Sequence, residues 1–119
     1  IPIDLDLSSI IGADLNLIGM GKYDVQFNFD THTTICLQSE AFILADGQII
    51  SSWSETNNWS TIEFQRALNQ SVLSYSIPNE HTIEIVLTGN LSLRLVDSSD
   101  QYESMQIYFK NNNLPTVII

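Results

Sequence analysis

The chain is poor in positive charge. Lys22, Arg66, Arg94 and Lys110 are its four basic side chains against fourteen acidic ones, a formal net charge of −10 in 119 residues. Four separated cations cannot neutralise a run of phosphates, which argues against a nucleic-acid partner. There is one cysteine, Cys36, so no internal disulfide can form. That fits a reducing compartment, and a cytoplasmic location is expected. No apolar run approaches the ~20 residues of a membrane-spanning helix; even residues 83–87 are interrupted by Glu84. The opening Ile1-Pro2-Ile3-Asp4-Leu5-Asp6 has no basic n-region, no apolar h-region and no initiator Met. It reads as an excised piece or a mature product. Glycine is scarce, and Gly19-Met20-Gly21 lacks the rest of a phosphate-binding pattern.

The chain is nevertheless 44% hydrophobic, so it is not a solvated acidic tail. Its length suits a single domain, 1–119, which can bury roughly two-thirds of its unfolded surface without disulfides or metal. Residues 23–30 alternate, with Tyr23, Val25, Phe27 and Phe29 on one face, the period of a half-buried strand. Residues 33–38 return antiparallel after a turn at Asp30-Thr31-His32, and residues 41–44 form a third strand. Asp46-Gly47 between Ile43-Leu44 and Ile49-Ile50 signals a hairpin, because both residues tolerate positive φ. Residues 51–60 show no period. The second half repeats the β pattern over 72–77, 81–87, 91–96 and 102–109, with an edge strand over 116–119.

One helix is expected at about 61–69. Ser60-Thr61-Ile62-Glu63 fits a capping box, Trp59 and Phe64 fit a hydrophobic staple, and Phe64, Ala67 and Leu68 share a helical face. Residues 13–19 are expected to form a matching helical turn, with Leu15 and Ile18 inward. The halves align as a duplicated three-stranded meander, Phe27-Asn28-Phe29 matching Tyr75-Ser76-Ile77, the returning strands 33–37 and 81–85 matching, and 41–44 matching 91–95. The expected fold is α+β and mostly β: antiparallel meanders forming a curved sheet, a sandwich or a partial barrel, with one central helix.

No residue pattern declares a reaction, and no enzyme, cofactor or metal is expected. His32 and Cys36 share a strand face but lie more than about 12 Å apart, too far to hold one ion. Cys36 has no helix N-terminus or glycine elbow to activate it. Asp97-Ser98-Ser99-Asp100 lacks the glycine and later bidentate Glu of a calcium loop.

Residues 91–97, Leu-Ser-Leu-Arg-Leu-Val-Asp, and 100–107, Asp-Gln-Tyr-Glu-Ser-Met-Gln-Ile, resemble the close of a group of small acidic bacterial β-rich proteins. These end in an L-x-L-x-L strand, an acidic loop and a Tyr-Glu-Ser/Ala–aromatic–Gln/Glu-Ile strand. Leu17-Ile18-Gly19 is similar to their opening, and Met105 departs from them where an aromatic is common. Many are uncharacterised; some are immunity proteins of contact-dependent or other polymorphic toxins. The resemblance implies a non-catalytic immunity protein. Charge gives the same reading: an acidic inhibitor is steered into the cationic cleft of a basic toxin domain, such as a nuclease. The expected partner-binding residues are Trp53 as aromatic anchor with Glu55, Asp97, Asp100 and Glu103. The alternatives are a small-ligand or carbohydrate-binding module, with Trp53 and Asn57-Asn58 at the site, and a homo-oligomeric structural domain.

Overall fold

A computed structural model describes residues 1–30, 33–56, 61–98, 104–110 and 115–119. The described residues form ten strands: β1 (Leu15–Met20), β2 (Val25–Phe29), β3 (Thr33–Leu37), β4 (Glu40–Ala45), β5 (Gln48–Ser54), β6 (Val72–Asn79), β7 (Thr82–Leu87), β8 (Leu91–Val96), β9 (Met105–Phe109) and β10 (Val117–Ile118). They form two five-stranded antiparallel sheets in the orders β1-β2-β3-β9-β10 and β5-β4-β8-β7-β6. Val25, Phe27, Phe29, Ile35, Leu37 and Ile107 of the first sheet share one buried cluster with Ala41, Ile43, Ile83, Ile85, Leu93 and Leu95 of the second. The alternation read from sequence has its physical basis here, since period two sends every second side chain into the space between the sheets.

The expectation of a mostly β fold of antiparallel meanders holds, while the expected central helix is corrected. The segment expected as a central helix is a 3-10 helix, Thr61–Ala67, and a shorter 3-10 turn spans Ser8–Ile10. Phe64 and Ala67 do face the core, and the Phe64 ring lies 6.3 Å from that of Phe27. The capping and stapling residues Ser60 and Trp59 lie outside the described residues, as do Thr31 and His32 of the expected first turn. No helix among the described residues is long and apolar enough to cross a membrane.

Residues 13–19 are not helical; they enter β1. Leu15 is buried and Ile18 packs on the core, while Leu17 is 55% exposed. A bulge between Leu15 and Leu17 causes this. An extra residue stretches the inward spacing of a strand from two to three, which imitates helical periodicity. The same irregularity lies between Val72 and Ser74. It puts Val72 inside and leaves Leu73 57% exposed. The aperiodic segment after Ile50 continues β5 to Ser54, with Ser51 and Trp53 pointing inward.

The two halves of the chain have the same plan with exchanged parts. In the first half the meander β1-β2-β3 lies in one sheet and the hairpin β4-β5 crosses to the other; in the second, β6-β7-β8 and β9-β10 cross the opposite way. The correspondence is therefore β1 with β6, one strand away from that read in the sequence. Hydrogen bonds confirm it residue by residue. The Gly12 N–H donates to the Val72 carbonyl at 2.8 Å, and the Asn69 N–H to that of Leu15 at 2.7 Å. The Val72 N–H donates to Ala13 O at 2.8 Å, and the Leu15 N–H to Gln70 O at 2.9 Å. Asp14 and Ser71 form an antiparallel bridge midway between these pairs. The Asp14 N–H donates to the Asp30 carboxylate and the Ser71 N–H to the Thr88 hydroxyl, each at 3.0 Å. Gly12 and Asn69, at matching positions, both have positive φ, 85° and 67°.

Candidate functional site: one acidic rim

Strand register gathers carboxylates at one end of the second sheet. Across that end Ser54 pairs with Glu40, Glu40 with Val96, Val96 with Thr82 and Thr82 with Asn79. Glu55 follows Ser54, Asp97 follows Val96, and Glu80 with His81 joins Asn79 to Thr82. Glu55, Glu40, Asp97 and Glu80 therefore stand along a rim about 19 Å wide, at ~4.8 Å per strand. Glu55 and Glu80 are exposed, and Glu40 and Asp97 are half-buried. Among the described residues the row contains no Lys or Arg; its basic groups are His81, whose Nε2 lies 3.3 Å from a Glu80 oxygen, and the Ile1 amino group, which donates to the Glu80 carbonyl at 2.7 Å.

Backbone and hydroxyl contacts hold this rim. The Asp97 N–H donates to the His81 carbonyl at 2.7 Å, and its carboxylate accepts from the Ser104 hydroxyl at 2.5 Å. The His81 N–H donates to the Asn79 side chain at 2.8 Å, and the Ser39 hydroxyl bonds the Val96 carbonyl. The equivalent end of the first sheet serves as an internal comparison. There Ser104, Gln38, Asp24 and Gly21 take the corresponding places, linked by Gln38 N–H to Ser104 O and Gly21 N–H to Asp24 O, both 2.8 Å. Among the described residues that row has one carboxylate, Asp24, and Lys22 follows Gly21; Glu103, next to Ser104, lies outside them.

Many other carboxylates have local work. Asp6 accepts from Ser8, which lowers its pKa chiefly through the side-chain hydrogen bond. Asp30 accepts from the Asp14 backbone and Asp24 from Gln26. Glu84 binds the Arg94 Nε at 2.6 Å, and Glu63 lies 3.6 Å from Arg66. Asp4 and Asp46 are exposed, Asp46 beyond the opposite end of β4. The anionic excess is thus partly concentrated and partly spread.

Of the expected partner-binding residues, Glu55 and Asp97 meet on this rim. Asp100 and Glu103 lie outside the described residues. Trp53 is corrected: it is 1% exposed and belongs to the core, so its ring is no surface anchor. Its Nε1 has no hydrogen-bond partner among the described residues. Its burial also removes it from the expected sugar site, whose Asn57 and Asn58 lie outside the described residues. Glu40 and Glu80 were missed because only register brings them beside Glu55 and Asp97.

The outer face of the first sheet bears a shallow open groove of about 560 Å³, lined by Gln26, Asn28, Thr34, Cys36, Tyr108 and Lys110 among others. Thr34 donates to Asn28 at 2.6 Å, and the Tyr108 hydroxyl bonds Gln106. Among the described residues no group of three His, Cys, Asp or Glu is placed to hold a metal ion. Comparison of the chain with family models, curated proteins and solved structures finds no match.

Proposed function

We propose that the chain is a non-catalytic binding protein that meets a basic protein partner through the rim of Glu40, Glu55, Glu80 and Asp97. The observation that carries this reading is the cross-strand row itself, which brings four carboxylates to one end of the second sheet. Carboxylates on four neighbouring strand ends sum their fields, and such a patch accelerates docking onto a cationic cleft. More finely, the proposed partner is a toxin nuclease domain, which makes the chain an immunity protein. The net charge of −10 and the resemblance carried by residues 91–107 support that refinement.

Titration calorimetry against a basic toxin nuclease domain tests both levels. Tight binding that weakens at least tenfold between low and high salt is expected. Replacing Glu40 and Glu80 by Lys together should weaken it at least tenfold more. Binding indifferent to salt and to both replacements would remove the rim from the reading.

The groove on the first sheet supports a second reading, a module for a neutral polar ligand such as a sugar chain. Tyr108, Asn28 and Thr34 offer a ring face beside hydrogen-bonding groups. Glycan binding abolished by Tyr108→Ala and unaffected by the rim replacements would favour it.

A further inference from the structure

We propose that the half-chain is the unit of recognition in this fold, so that two copies of the protein can exchange halves and form a dimer built from the same two sheets. Neither half completes a sheet alone. β4 is held along its length by β8, and β9 by β3, so each half gives a hairpin to the sheet begun by the other. The bonds around Asp14 and Ser71 are reciprocal: what Gly12 and Leu15 do to the second half, Asn69 and Val72 do to the first. Reciprocity of that kind is the mark of a two-fold interface between subunits. Here it occurs inside one chain, whose halves are joined covalently only between Ser54 and Thr61.

Packing selects the occupant. Thr33 lies opposite Phe109 in one ladder, and Leu91 lies opposite Ala45 at the equivalent place in the other. Small faces large in both, in opposite senses. A half paired with its own kind would set Phe109 against Leu91, or Ala45 against Thr33, overfilling one ladder and hollowing the other. The fitting partner of a first half is a second half, from the same chain or from another copy. Which of these it meets is decided by the connector, as in other swapped assemblies.

Two full-length variants test this by light scattering after size exclusion. Deleting residues 57–60 shortens the connector and should convert the protein to a dimer of doubled mass with a native near-UV spectrum. A chain carrying a protease site inserted after Thr56 is refolded at high concentration and should give a dimer fraction. Cutting both connectors should then halve the mass of that fraction without changing its near-UV spectrum, because each particle is already a complete pair of sheets. Monomer alone from both variants, or a dimer that keeps its mass after cleavage, overturns the proposal.

Discussion

The Ser71 hydroxyl donates to the Asp14 carboxylate across the point where the two halves of the chain meet, and the same two residues form the backbone bridge there. The contact ties the edge strand β1 of one sheet to the edge strand β6 of the other at one corner. Edge strands expose unpaired backbone groups, and a side-chain clasp here covers the two edges where they meet.

Removing either partner leaves the other half-buried without its bond. Ser71→Ala should lower stability by about 1.5–3 kcal/mol, the usual range for a hydrogen bond to a charged group. Asp14→Ala should cost a similar amount. In urea titrations the double replacement should lose about 1 kcal/mol less than the sum of the two, because they share one interaction. Strict additivity would show that the clasp carries no energy of its own.

Asp46 and Gly47 both have positive φ, 52° and 82°, at the tip of the β4–β5 hairpin. A side chain at position 47 would meet no atom within 4 Å, so its cost is conformational rather than steric crowding. Gly47→Ala should therefore destabilise by about 1–2 kcal/mol, the penalty of a left-handed backbone with a Cβ. Thermal melting would register the loss, whereas Gly19→Ala, at ordinary φ and 3.8 Å from Gln26, should change little.

This hairpin was legible in the sequence because Asp-Gly is a local signal with a local cause. The inward residues of β2, β3, β7 and β8 were legible for the same reason: their alternation is unbroken, from Val25-Phe27-Phe29 to Leu91-Leu93-Leu95. Bulges hid β1, where Leu15 and Ile18 face inward three positions apart. They also hid which strands correspond between the halves. The acidic rim was half legible. Glu55 and Asp97 stood out as loop charges, but Glu40 and Glu80 join them only through pairing between strands distant in sequence, which composition does not encode. Trp53 misled because its neighbours are serines; the burial of β5 comes from the sheet facing it, not from its own pattern.

Trp53 itself supplies a test. Its ring is enclosed while its Nε1 lacks a partner among the described residues. Trp53→Phe removes an unmatched donor together with some packing, and the two effects oppose each other. The net change should stay within about 1 kcal/mol, while Trp53→Ala should cost about 3–5 kcal/mol through the cavity left behind. Chemical denaturation of the two variants separates these outcomes. A Phe variant as damaged as the Ala variant would mean that the indole nitrogen is satisfied in solution.

Cys36 sits on the outer side of β3, partly covered, and its thiol pKa is raised above the ordinary value of 9.0 by burial first and by the charge of Asp24 second. Both effects disfavour the thiolate, which is the reactive form. Alkylation by iodoacetamide at pH 8 should therefore run several-fold slower than for a cysteine in a short peptide. Asp24→Asn should speed it by removing a repelling charge without exposing the sulfur. The sign for stability follows from the same shift. An acid whose folded pKa lies above its unfolded value contributes fully below the unfolded pKa, and the contribution is lost as pH rises through the folded one. Unfolding measured from pH 7 to pH 11 should show stability falling beyond about pH 9 in the wild-type chain and falling less in Cys36→Ala, which has no thiol to ionise. Equal pH dependence in the two proteins would place the alkaline loss on other groups.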